Sequence, residues 1–505
     1  MAQGFEQKDS PAQSFAFVNV GDRLLLSFCA VAFSALLIAL SVSAHPLHPI
    51  FAILIAFVFT VALANWMPGV AMIAVIFAAL FQNFFVSIIS PHLINLSDLN
   101  IARGYSFIIL CSAWSVAFLS YFFRERGKIA SLDQMMKITT MVFALIGVYF
   151  VIGFVQNPLG SIISLRSTAS AFMFFQLGLI FFALYPLKLS YALTIIGFIL
   201  VILGYIEFFY RDEWMVWTNG QTFWDLTTTA QRNSGQWDKD AAERGIVSLG
   251  FLDSITVDLF NTPLLDGLKI TITRLLGPSF HAISYAYGLA FFFIFALYRG
   301  SFVLAILLVP LLLFANAKGA IILLILVGLT WMIARVFGAK FGFSVLSVVL
   351  LIYIAVGIFI GLAIGDFHVL GFMGGVYNFL GNPIGHGLGA GGNLSTNFST
   401  LDWSEYQAAG RTPIAIESAV GVMMFQMGIG AFVYIGTCIW ISWKTVCLGA
   451  STKNSLHIVA GFALITILVN GIFQEEALFS PSGFGLIMAL NGMILGAAIR
   501  TGAFR

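Results

Sequence analysis

Charge is what this sequence has least of. Only 9% of its 505 residues are Asp, Glu, Lys or Arg, against 60% hydrophobic, whereas soluble domains carry about 25% charged residues. That scarcity excludes a soluble protein and marks a polytopic membrane chain. Cysteine is scarce too. Cys29, Cys111, Cys438 and Cys447 lie within or at the ends of apolar segments without paired spacing, which argues against a disulfide framework or a zinc site. The alternating ten-residue strands of a membrane barrel are also missing. Lipid offers backbone amides and carbonyls no partners, so continuous apolar blocks leave an all-α, polytopic transmembrane helix bundle as the fold. No nucleophile triad, metal-ligand set, nucleic-acid surface, internal repeat or separable soluble domain is visible.

What is present is a series of apolar blocks near the roughly 20 residues a spanning helix needs. They run at about 24–42, 50–65, 69–90, 105–123, 138–155, 169–185, 189–209, 281–298, 302–316, 320–335, 343–364, 416–440, 456–473 and 482–499. Val42 and Ala44 resemble a signal-peptide cleavage pattern, but the first block is longer than a signal-peptide core and follows 23 residues of mixed charge, so it reads as a retained helix. The blocks at 302–316 and 320–335 could instead form one helix kinked at Pro310. The positive-inside rule separates the two readings. With fourteen spans and both termini in the cytoplasm, the cytoplasmic side collects fourteen basic and five acidic residues, and the outer side ten basic and seventeen acidic. Merging the two blocks would put Arg335, Lys340, Lys444, Lys453, Arg500 and Arg505 outside. Fourteen spans are therefore expected, in a single membrane domain covering 1–505.

Two outer-face loops stand out by length, and long loops without a domain of their own are usually functional. The first, 210–280, holds Trp214, Trp217, Trp224 and Trp237, with helices expected near 221–232 and 248–260. The second, 365–415, contains Gly381-Asn-Pro-Ile-Gly-His-Gly-Leu-Gly389. Its glycines let backbone approach a ligand closely, but it lacks the spacing and strand context of a nucleotide motif.

Charges at membrane depth are usually paired or functional, and arginine's planar fork suits phosphate oxygens. Among the outer cations, which include Arg103, Arg166 and Arg211, the residues Arg274, Lys318 and Arg411 lie within a few positions of a span, and Arg244 lies in the first long loop. Any one of them could snorkel or pair with Asp266, Glu405 or Glu417; together they suit an anion site. Lys318 stands out because a cation in so short an outer turn runs against the charge bias, and the amides of the helix that follows would add to an anion site. Glu417 reads either as a carboxylate favoured by a helix N-terminus or as a base of raised pKa, and His386 either as a structural hydrogen-bonder or as a catalytic group. His45, His48, His92 and His281 read as interfacial, and Glu475-Glu476 as a solvated outer turn.

Phe314-Ala-Asn-Ala-Lys-Gly-Ala320, Asn382-Pro-Ile-Gly-His-Gly-Leu-Gly389, Glu417-Ser-Ala-Val-Gly421 and Gln426-Met-Gly-Ile-Gly430 together resemble the O-antigen ligase and polymerase superfamily of bacterial inner-membrane glycosyltransferases, over roughly 280–440. The family turn usually reads Ser-Arg-Gly where this chain has Ala317-Lys318-Gly319. Ligases commonly open with His-Asn the helix that opens here with Glu417-Ser418, a departure that favours a polymerase of exopolysaccharide or O-antigen repeat units. The resemblance implies sugar transfer at the periplasmic face between glycans carried on undecaprenyl diphosphate, without cofactor, nucleotide sugar or metal. Partners would be the lipid-linked glycan, the bilayer, and a chain-length regulator or flippase, with no nucleic acid. In that scheme Arg411, Arg274, Lys318 and Arg244 hold the diphosphate while Glu417 or His386 takes the acceptor proton. Transfer of glycan to lipid A core is the alternative within the family. A secondary transporter is the alternative outside it, since glycine-interrupted helices suit one, although the polar residues cluster on one face.

Overall fold

The computed structural model describes residues 20–233, 251–259, 270–392 and 403–504. Among these, twelve helices are long and apolar enough to cross a membrane, and Phe302–Ala315 and Ser455–Asn470 are two shorter apolar helices. Together they match the fourteen expected segments in number, and all but the one at 416–440 in place. In chain order they are α1 Val20–Ser43, α2 Pro49–Trp66, α3 Pro68–Ile89, α4 Tyr105–Ser120, α5 Ala130–Gln156, α6 Pro158–Leu184, α7 Ser190–Phe209, α8 Ala282–Arg299, α9 Phe302–Ala315, α10 Lys318–Phe337, α11 Ala339–Ile364, α12 Ile429–Thr452, α13 Ser455–Asn470 and α14 Leu486–Arg500. The α9–α10 pair is two helices. Asn316 ends α9 in the left-handed region at φ 50°, a conformation that asparagine tolerates, and α10 restarts at Lys318.

The centre of the bundle is α6 with α14, the two most deeply buried spans. Gly492 and Gly496 of α14 let the helices touch, since a Cβ at either would strike the Phe175 or Leu179 carbonyl of α6. Small residues four apart are how helices pack closely in lipid, where apolar burial gives no net drive to associate.

Two expected elements take another form. The span at 416–440 is displaced: Ala419–Met427 is a short helix of its own, Gly428 breaks it at φ 49°, and α12 begins only at Ile429. The break is built around the glycine-rich loop, whose Pro383 carbonyl accepts the Ile429 amide at 2.8 Å and would collide with a Cβ on Gly428. In the 210–280 loop a helix runs over Gly220–Asn233, and of the expected 248–260 helix the described residues 251–259 hold only Phe251–Ile255 as helix. The chain then enters an antiparallel strand pair, Thr256–Asp258 with Thr271–Thr273, as suits its β-branched Thr256, Val257, Thr271, Ile272 and Thr273.

Candidate active site

The loop end of the bundle holds a cavity of about 410 Å³, lined among others by Arg103, Arg166, His281, Ser284, Glu475 and Glu476. Arg166 belongs to α6 and Arg103 to the link before α4, and the two sit close enough for their like charges to repel. Arg103 occupies the two-residue link between Leu96–Ala102 and α4, which is pinned on both sides. Gln82 of α3 donates to the Ala102 carbonyl at 3.1 Å and accepts from the Ser106 amide. His45, buried at the α1–α2 turn, bonds Asp98 at 2.8 Å and the Tyr105 hydroxyl. The Arg103 guanidinium lies 4.6 Å from the centre of the Phe223 ring, in the helix Gly220–Asn233, and its buried Nε has no hydrogen-bond partner among the described residues. A donor so placed at membrane depth is costly to leave unmade, and an anionic ligand would satisfy it.

On the same cavity, Glu475 and Glu476 begin a short helix, Glu475–Phe479, instead of a solvated turn. Glu476 Oε1 lies 3.9 Å from His281 Nε2. His281 caps α8, its Nδ1 accepting the Ser284 amide at 3.3 Å. That bond needs an unprotonated Nδ1, so the network assigns the proton to Nε2, towards Glu476. Burial pushes the His281 pKa below its ordinary value, Glu476 opposes the shift, and Arg274 and Arg103 add to it. Hydroxyls of Ser284, Ser480 and Ser482 form a chain of 2.9 Å contacts along the wall.

A lowered imidazole pKa has a definite sign. The unfolded chain binds the proton more readily, so stability is full above the ordinary histidine value near 6.5 and falls as pH drops from there towards the folded value. His281→Asn keeps a capping acceptor and removes the titration. We predict that the wild-type melting temperature falls more steeply than the variant's below about pH 6.5; parallel profiles would count against a neutral His281.

The segment carrying Arg274 and His281 hangs on one buried carboxylate. Glu207 of α7 accepts the Leu276 and Gly277 amides at 2.9 and 2.6 Å, with Arg211 Nη1 at 3.9 Å. Arg211 also donates to the Arg274 carbonyl at 3.0 Å. Breaking such a network leaves a charge and two amides uncompensated, and Glu207→Ala should destabilise the protein by about 3–5 kcal/mol. A shift under about 1 kcal/mol in thermal or denaturant unfolding would refute the anchoring role.

The residues singled out in the sequence fall in several places. Arg274 does not line the cavity but acts electrostatically on His281 and is itself influenced by Glu476. Burial lowers its pKa, Glu476 opposing, and its Nε donates to the Ala315 carbonyl in the turn before Lys318. Lys318 is under the influence of Asp366. Arg411 is exposed, with its guanidinium 4.0 Å from the Tyr377 ring centre. Glu417 is not part of a helix. It takes φ 58° before the true cap, Ser418, and meets His368, whose Nδ1 lies 2.9 Å from its carbonyl and 3.7 Å from its carboxylate. His386 stacks on Phe425 with ring centres 4.4 Å apart. Arg244 lies outside the described residues.

The glycine-rich loop is mostly a packing device. Gly385, Gly387 and Gly389 all have φ between 83° and 90°, and their lack of Cβ lets the strand press on α5, α6 and the Gly428 break. Its backbone is satisfied there, with Leu388 N to Tyr149 O at 2.9 Å and Ser161 Oγ to Leu388 O at 2.6 Å. Non-helical backbone at membrane depth survives only when bonded in this way. Its far end does meet the site: Gly391 and Gly392 line a small void of about 30 Å³ with Ser167, Glu475 and Phe479, which also line the main cavity. The chain matches no family model, no curated protein and no solved structure.

Arg103, Arg166, His281 and the Glu475-Glu476 pair are the residues that sequence reasoning left out of the site. Both arginines lie within three residues of an expected apolar block, at 105–123 and 169–185, nearer to a span than Arg274 or Arg411, and that proximity was one available signal. Among the described residues no group of three or more His, Cys, Asp or Glu is placed to hold a metal ion.

Proposed function

We propose that this protein is a membrane glycosyltransferase that polymerises undecaprenyl-diphosphate-linked oligosaccharide repeat units at the periplasmic face of a bacterial inner membrane. The observation that carries the reading is the cavity lined by two half-buried arginines and two carboxylates. Clustered cations in a low-dielectric site favour an anion strongly, and a diphosphate-linked amphiphile brings its charge to that depth from the bilayer. In the proposed reaction an acceptor hydroxyl attacks the anomeric carbon of the donor glycan. The new C–O bond forms as the bond to the diphosphate oxygen breaks, the electron pair leaves with the diphosphate, and the hydroxyl proton passes to a carboxylate. Arg103 and Arg166 stabilise the departing charge. Glu475, at the junction of the cavity with the glycine-loop void, takes the proton, while Glu476 and His281 orient each other. Serine hydroxyls supply sugar contacts.

The broken helix around Gly428 supports the transporter as a second reading, since interrupted helices build midplane sites in transporters. One experiment separates the readings. Purified protein in vesicles is given lipid-linked oligosaccharide, with and without lipid A core. A ladder formed without core supports the polymerase, transfer only to core makes the protein a ligase, and uptake of solute without any new glycosidic bond favours the transporter.

A further inference from the structure

At the other end of α8 lies a second cavity, of about 570 Å³, between the last turns of α8, the middle of α10 and the α12–α13 turn. We propose that it holds one acyl chain of an anionic phospholipid, with the phosphate at the Lys453–Ser455 turn. The walls are apolar, including Phe293, Leu324, Val327 and Leu456, and the mouth is polar, with Lys453, Asn454 and Ser455. Trp331 lines it too, and its buried indole N–H has no acceptor among the described residues. That donor lacks only an oxygen of the kind a lipid ester or phosphate supplies. No carboxylate lines the cavity, and Arg335 lies over the Trp331 ring, 5.2 Å from its centre, so the charge around the mouth is positive. Basic pockets between spanning helices select anionic headgroups, and an apolar cavity takes an apolar occupant in preference to water. Lys453 is held in place by the backbone. It ends α12 in the left-handed region at φ 53°, its amide donating to the Gly449 carbonyl.

Gly328 gives a clean probe, because it lines the cavity and a Cβ there meets nothing within 4 Å. Gly328→Leu therefore has room for its Cβ and directs a side chain into the cavity, and losing a glycine from a helix interior favours folding. The test is native mass spectrometry of detergent-purified protein titrated with phosphatidylglycerol, phosphatidylcholine or inorganic phosphate. Wild type should bind phosphatidylglycerol in preference to phosphatidylcholine and should not bind phosphate alone. Lys453→Gln should weaken phosphatidylglycerol on the order of five-fold, as expected for one lysine at an anionic headgroup, and Gly328→Leu should abolish retention of both lipids. Unchanged lipid retention in Gly328→Leu, equal affinity for the two lipids, or binding of phosphate alone would each overturn the proposal. These readouts do not depend on glycosyl transfer.

Discussion

Replacing Arg103 with methionine should cut polymer formation by about 10²–10³-fold, the loss typical when one preorganised partner of a developing anion is removed, while leaving the melting temperature at or above that of the wild type. The two halves of that outcome have one cause. Arg103 is held beside Arg166, with its Nε unpartnered among the described residues, so the resting protein bears the cost of a desolvated charge next to a like one. Swapping a buried ion for an apolar side chain of similar length is often neutral or stabilising, and methionine fills an irregular gap well. A residue kept for structure would show the reverse pattern, lower stability with activity lost only in proportion. The measurements are ladder formation from lipid-linked oligosaccharide and a thermal unfolding curve on the same preparation. Activity within ten-fold of wild type, or a clear fall in melting temperature, would remove Arg103 from the proposed diphosphate site.

Glu475→Gln is the second substitution with a large expected effect. It keeps the size of the side chain and its ability to accept a hydrogen bond but removes the base, and positioned proton transfer contributes about 10²–10⁴-fold. The loss should appear in kcat with KM little changed, because the step affected is chemistry and not capture of the diphosphate. Glu417→Gln and His386→Gln provide the comparison. Glu417 lies against His368, and His386 packs on Phe425, and neither lines the cavity. Both variants should retain activity within about ten-fold, below the usual contribution of a general base. Loss of turnover in the Glu417 variant with activity kept in the Glu475 variant would move the base to Glu417 and refute the role of Glu475.

Much of the architecture was legible from one chemical fact, the near absence of charge. Helices could be placed along the chain because each span satisfies its own backbone, so the apolar block and the element coincide. The two-helix reading of 302–335 needed only the side preference of Arg335, Lys340 and the basic residues after them. Where backbone bonding is not local, the sequence misled. Gly428 looks like any small residue in an apolar helix until the Pro383 carbonyl is found occupying the place of its missing Cβ. Glu417 looked like the first turn of a helix because nothing in the sequence shows that it takes φ 58°.

The site divides in the same way. Glycines at 385, 387 and 389 drew attention as a ligand loop, and the fold uses them mainly to wedge backbone between α5 and α6. Arg103, Arg166, His281 and Glu475-Glu476 come from distant stretches of chain, and no spacing rule links them.

The sequence by itself determined that this is a multi-span helical membrane protein and where nearly every helix runs, because hydropathy and backbone self-satisfaction act within single segments. Only the tertiary structure decided which of the scattered charges share a cavity. That outcome depends on how α3, α6, α8 and the 475–482 segment pack around one space, and packing between helices in lipid is set by shape and by paired polar groups, neither of which leaves a periodic mark in the chain.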